Sequence, residues 1–137
     1  MKKVILNKCY GGFGISKSGY ELYANKKGLN LFCYEVDFKG KEIIYKKSNG
    51  DKIFTQYFTK DFGDNVKINE KDYEKYSLNL DGAYREDKIL IEVVEELKEK
   101  ANGKYSNLKI VEIPDNLDYV IDEYDGIETL HQEVEEW

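Results

Sequence analysis

The chain is short of the residues that most often announce chemistry. Its 137 residues hold one histidine, one arginine, two cysteines and a single proline. With His131 the sole imidazole, the only thiol–imidazole pairs are Cys9 or Cys33 with His131, far apart in sequence, and a nucleophile–base reading has little to stand on. Three Cys and His residues in all fall below the four ligands of a closed zinc site, so no metal or cofactor is expected. One proline argues against stiff linkers and proline-rich recognition segments. The apolar run Val4-Ile5-Leu6 stops at Asn7, too short for a secretory signal, and no run approaches the ~20 residues of a membrane helix. Two cysteines in such a chain are expected as free thiols. The expectation is a soluble protein of the cytoplasm without a membrane partner.

Aromatic residues, by contrast, are plentiful. They make up 14% of the chain, twelve of them tyrosine, within a hydrophobic content of 41%. That is too apolar for a disordered chain despite 35% charge, and the length suits one domain with a real core. Charge is uneven. Residues 115–137 carry nine acids and no Lys or Arg, while the rest holds 18 acids against 21 bases. An acidic flank of this kind repels nucleic-acid backbones and attracts basic protein surfaces; it also serves as an ordinary solvated edge.

Residues 2–8 read as a buried strand, broken by the glycines of Cys9-Tyr10-Gly11-Gly12-Phe13-Gly14. Ser16 is placed to cap a helix ending before Gly28, with Tyr20, Tyr23 and Ala24 inward. Residues 29–38 read as a strand. Asn49-Gly50 joins two strand-like runs, which predicts a β-hairpin over about residues 41–59. Asn69 heads a short helix over 69–76. Asp87 caps the clearest helix of the chain, whose residues Ile89, Leu90, Val93, Val94, Leu97 and Ala101 share one face and which Asn102-Gly103 is expected to end. Residues 108–114 and 119–124 read as strands, and residues 127–137 as a terminal helix. Together these predict an α+β fold: one domain, a mixed or antiparallel sheet with a hairpin insertion within 37–83, packed on two main helices, and an acidic flank over 115–137.

Four segments occurring together carry a resemblance: VILNKCYGGFGIS before a helix, R-x-D leading into IEVVEEL and ANG, the strand KIVEIP, and EYDG ahead of a terminal Trp. They resemble a widespread family of small tailed-phage and prophage proteins, most without an assigned function, over residues 1–36 and 84–137. The chain departs from that pattern in having Asp87-Lys88 for Asp-Pro, Leu97-Lys98 for Leu-Gly, and an acidic Glu133–Trp137 end where many members have His-Arg-x-Trp. The resemblance implies a non-enzymatic, phage-derived counter-defence protein, for example an anti-CRISPR inhibitor, acting on a host defence protein with a basic surface. A sponge for a nucleotide immune signal and a small enzyme are the alternatives.

Two sets of candidate site residues follow. The strand–glycine turn–helix layout of Gly11, Gly12, Gly14 and Ser16 suits phosphate binding, and Arg85 is the cation that would complete it. The same glycines equally serve a tight turn, and Arg85 equally bridges to Asp87 or to the acidic flank. For a partner surface the candidates are Tyr45, Lys47 and Tyr57 in the hairpin, a mix that also suits stacking on nucleic acid, and Asp122, Glu123 and Asp125 in the flank. Self-association stays open.

Overall fold

The computed structural model of the chain describes residues 1–49 and 55–132. In chain order its elements are β1 (Lys2–Asn7), α1 (Lys17–Lys27), β2 (Phe32–Lys39), β3 (Glu42–Lys47), β4 (Thr55–Phe58), α2 (Glu70–Tyr76), α3 (Lys88–Leu97), β5 (Leu108–Ile113), β6 (Tyr119–Tyr124) and β7 (Ile127–Gln132). The fold is α+β, with every strand pair antiparallel and the strands divided among three small sheets. None of the described helices is long and apolar enough to cross a membrane. The chain forms two compact units, Met1–Tyr23 with Leu80–Trp137, and Ala24–Asn79.

In the first unit β1 pairs with β5 from Lys2 opposite Ile113 to Asn7 opposite Leu108. Both faces of this ribbon are apolar, so both must be covered. Strand alternation sends Val4, Leu6 and Ile113 to one face, where Tyr119, Ile121 and Leu130 of the β6–β7 ribbon meet them. Helix α3 packs against β1 and β5 and buries Leu90, Ile91, Val93 and Val94. Each large side chain so buried contributes about 1.5–3 kcal/mol. Its start is capped as the sequence indicates, Leu90 N–H donating to Asp87 Oδ1 at 2.9 Å. Tyr23 of α1 donates to the other oxygen of Asp87 at 3.2 Å. Burial, reinforced by the Asp87 charge, pushes that phenol up to about 12.

In the second unit β2 is the central strand, with β3 and β4 on its two sides. Tyr34, Tyr45 and Phe58 form its core, and the Phe58 ring meets Tyr34, Tyr45, Phe62 and Tyr73 edge-on at 5.5–5.7 Å. The abundant tyrosine is therefore in part core material. Asn69 caps α2 by accepting from Asp72 N–H at 2.8 Å, and Tyr73 and Tyr76 pack inward.

Three expectations need correction. The hairpin over residues 41–59 does not form, because β3 and β4 both pair with β2 and not with each other. The tight turn lies earlier, at Gly40-Lys41, where Gly40 has φ +64 as the first central residue of a type II′ turn requires. Gly50 lies outside the described residues. Nor is there a helix from residue 127, since Ile127–Gln132 is β7, turned back on β6 by Asp125-Gly126 at φ +50 and +92, a type I′ pair. Residues 133–137 lie outside the described set. Finally, α3 ends at Leu97, five residues before Asn102, and a 3-10 turn follows over Lys98–Ala101. Gly103 serves a different purpose: a Cβ there would stand 3.1 Å from the Gly14 carbonyl carbon, so its absence lets two backbone segments touch.

Lys98, the residue at which α3 breaks, has φ +54 and ψ −122, a conformation that side chains resist and glycine adopts freely. Lys98→Gly is expected to relieve more strain than glycine's extra chain entropy costs. The net gain should be about 1 kcal/mol, several degrees in a thermal melt followed by circular dichroism. An unchanged or lowered Tm would show that the break carries no strain.

Candidate functional site

The polar centre of the first unit is a buried carboxylate. Glu128 enters on β7 at 6% exposure and receives both arms of the Arg85 guanidinium, Nη1 to Oε1 at 3.1 Å and Nη2 to Oε2 at 2.9 Å. Asn7 N–H donates to the same Oε1 at 2.9 Å. Arg85 spends its remaining reach on the carbonyls of Gly82 (2.9 Å) and Ile5 (3.2 Å), and its guanidinium stacks over Phe13 at 5.6 Å. Burial works to raise the Glu128 carboxyl, but the hydrogen bonds from Arg85 and Asn7, with the Arg85 charge, outweigh it and hold the group below the ordinary range.

That depression has a consequence for acid stability. A carboxyl lowered in the folded state lends stability that is complete above its unfolded-state pKa and is lost as pH falls through the folded one. Native protein should therefore lose Tm below about pH 4 more steeply than Glu128→Gln, which is less stable at neutral pH but has no proton to take up there. Parallel pH profiles for the two proteins would contradict this.

Asn7, fully buried, is the second hub. Its amide nitrogen donates to the carbonyls of Cys9 (2.9 Å) and Gly126 (2.6 Å), and its oxygen accepts from the N–H groups of Cys9 (3.3 Å) and Asn107 (2.9 Å). One side chain thus ties the glycine turn, the β6–β7 turn and the approach to β5. Gly11 N–H donates to Asp125 O at 3.2 Å, and a Cβ on Gly126 would fall 2.4 Å from Gly12 N. A Cβ on Gly11 would fall 2.6 Å from Tyr105 Cβ. The three segments touch at their backbones.

Each carries an exposed tyrosine: Tyr10 at 65%, Tyr105 at 55% and Tyr124 at 75%. Lys104 lies over the Tyr105 ring. Along β6, Asp122 and Glu123 are exposed, as is Asp125 in the turn; Asp122 pairs with His131 at 3.0 Å. The surface is hydrogen-bonded below and aromatic and acidic above.

The anion pocket expected from Gly11, Gly12, Gly14, Ser16 and Arg85 meets a different arrangement. Phe13 brings Arg85 near the turn, but the guanidinium is committed to Glu128, a residue of the acidic flank. Ser16 caps α1 through Gly19 N–H and donates to Lys100 O, and Gly14 O accepts from Gly103 N–H and Ser106 Oγ. Of the partner residues read in the second unit, Tyr45 and Tyr57 are each only 8% exposed: Tyr45 shares the core face with Tyr34 and Phe58, and Tyr57, opposite Cys33, is buried on the other face of the sheet. They offer no stacking surface. Lys47 is bound to Asp61 at 2.8 Å. Asp122, Glu123 and Asp125 are placed together on one ribbon. Asn7, Glu128 and the three exposed tyrosines escaped the sequence reading; Asp125-Gly126, a type I′ dipeptide, was the signal that would have located the ribbon. Among the described residues no group of acids, His and Cys is arranged to hold a metal.

Comparison of the chain with protein-family models, with curated proteins and with solved structures finds no match.

Proposed function

We propose that the chain is a non-enzymatic binding protein of phage type, which blunts a bacterial immune system by occupying a basic surface of a host defence protein. The observation that carries this reading is the set of exposed tyrosines, Tyr10, Tyr105 and Tyr124, on three mutually braced segments, of which the β6–β7 ribbon also carries the exposed Asp122, Glu123 and Asp125. Tyrosine gives large contact area at small entropy cost and is enriched at the centres of protein interfaces. The acids around it match a partner that otherwise handles nucleic acid, and they disfavour nucleic acid itself. Lys98, which stands where the resembled phage family carries glycine, has a backbone conformation suited to glycine, and this supports the kinship. The nucleotide-sponge reading retains the glycine turn but loses the cation it needed.

The test is plaque formation on bacteria that carry defined defence systems and express this protein. Plating should be restored by the native chain against at least one system. Tyr10→Ala with Tyr124→Ala should abolish the rescue while leaving the thermal melt unchanged. Failure of the native protein to protect phage from any system, together with no binding to the purified defence proteins, would overturn the proposal.

A further inference from the structure

Three strand edges in the described residues are closed off, those of β1, β3 and β4. The outer side of β1 meets the Arg85 carbonyl and guanidinium and the Glu128 carboxylate. Val66 exchanges two hydrogen bonds with Tyr45 on β3, and the chain at Tyr76–Leu78 lies along β4. Strand β5 differs. Ile5 gives its N–H to Arg85 O and its carbonyl to Arg85 Nη1, so its backbone faces away from β5. Antiparallel alternation then directs the backbones of its partner Ile110, and of Glu112 opposite Lys3, away from β1. Among the described residues nothing meets those N–H and C=O groups. The open stretch is bounded: Leu108 N–H is taken by Asn102 Oδ1 at 2.8 Å, and Pro114 beyond the strand has no N–H to give.

We propose that a second copy of this chain closes this edge, β5 against β5 in antiparallel sense, with the two-fold axis at Val111. In an antiparallel ladder, opposed residues must both face the partner or both face away. Only even-numbered β5 residues face out, which restricts the registers. Pairing Ile110 with Glu112 of the other copy, and the reverse, matches both open N–H groups of each chain to both open carbonyls of its partner. Shifting to Ile110 opposite Ile110 would instead oppose Glu112 to Leu108, whose N–H is already spent.

Charge favours the same register. Glu112 shares a face of the β1–β5 ribbon with Lys3, whose ammonium reaches Glu95 of α3, so its carboxylate lies on the helix side. There Lys98 and Ile110 line one hollow of about 290 Å³, together with Val94, Leu108, Lys109 and Glu99, so two ammonium groups stand against one carboxylate. Placed opposite Ile110, the incoming Glu112 meets Lys98. Among the described residues neither side chain has an ion-pair partner within its own chain. By two-fold symmetry the pair forms twice, and Val111 meets its own copy on the other face. Such an isologous contact closes on itself and does not propagate. It is small, so association is expected to be concentration-dependent.

Sedimentation velocity from low micromolar to near-millimolar protein reads this directly. The mass should rise from 16.0 kDa toward twice that value, and hydrogen exchange of the Ile110 and Glu112 amides should slow over the same range. Glu112→Lys should weaken dimerisation about tenfold by setting like charges together, and Lys98→Glu with Glu112→Lys should restore it. Lys98→Gly should weaken the dimer while leaving the monomer fold at least as stable. A mass of 16.0 kDa throughout, with both amides unprotected, would overturn the proposal. So would a dimer indifferent to both charge changes. An edge that binds only an extended peptide of another protein would appear as the first of these outcomes.

Discussion

Replacing Glu128 with alanine is expected to destabilise the first unit by about 3–5 kcal/mol, a large share of the stability of an ordinary domain. The cost does not come from the attraction lost, because desolvating both ions offsets much of that. It comes from what remains. Arg85, with only 16% of its side chain exposed, keeps a buried charge without a counterion, and Asn7 N–H loses its acceptor. Arg85→Ala should cost a similar amount, leaving the carboxylate alone. The combination Arg85→Met with Glu128→Leu removes both charges and should recover much of the loss, short of about 1–3 kcal/mol for the unpaired Asn7 amide. Urea titrations of the four proteins give the comparison. Single variants within 1 kcal/mol of the native chain would mean that water reaches the pair and shares its charge.

Gly126→Ala is expected to cost on the order of 3–4 kcal/mol. Part is local, since φ +92 suits glycine and resists a side chain at roughly 1–2 kcal/mol. The larger part is steric. The added carbon would lie 2.4 Å from Gly12 N, 2.6 Å from Gly11 N and 3.1 Å from Cys9 O, all backbone atoms, of which Cys9 O is held by Asn7 and Gly11 N by Asp125. Gly12→Ala is the control, because φ is +98 there but nothing lies within 4 Å of the new carbon. It should cost only the local strain. Equal losses in thermal melts would show that the glycine turn and the β6–β7 turn do not bear on each other. In the plaque assay Gly126→Ala should also lower protection, because it separates Tyr124 from Tyr10.

The sequence by itself determined what depends on neighbours in the chain. Helix α3 was legible because its apolar residues recur at helical spacing and Asp87 caps it within three residues. The caps at Ser16 and Asn69 were legible for the same reason: a side-chain oxygen reaching an N–H two or three positions on needs no distant partner. Free choice among distant partners was not legible. Asn49-Gly50 is a sound local turn signal, yet β2 takes β3 on one side and β4 on the other, and nothing near residue 50 encodes that. Ile127, Leu130 and Val134 fit a helical face, whereas the β6–β7 ribbon uses Ile121 and Leu130 across a sheet. What decided between them was the Asp125-Gly126 turn and a core face on β1 that needed covering. Arg85 shows the division most clearly. Its lone occurrence marked it as important, and either an anion or an acid of the flank satisfied its chemistry. Only the tertiary structure set Glu128 of nine candidate acids against it, because desolvating a guanidinium is tolerable only where a carboxylate and backbone carbonyls converge on it at once. The same packing turned the glycines from a cradle for a ligand into the brace on which three exposed tyrosines stand.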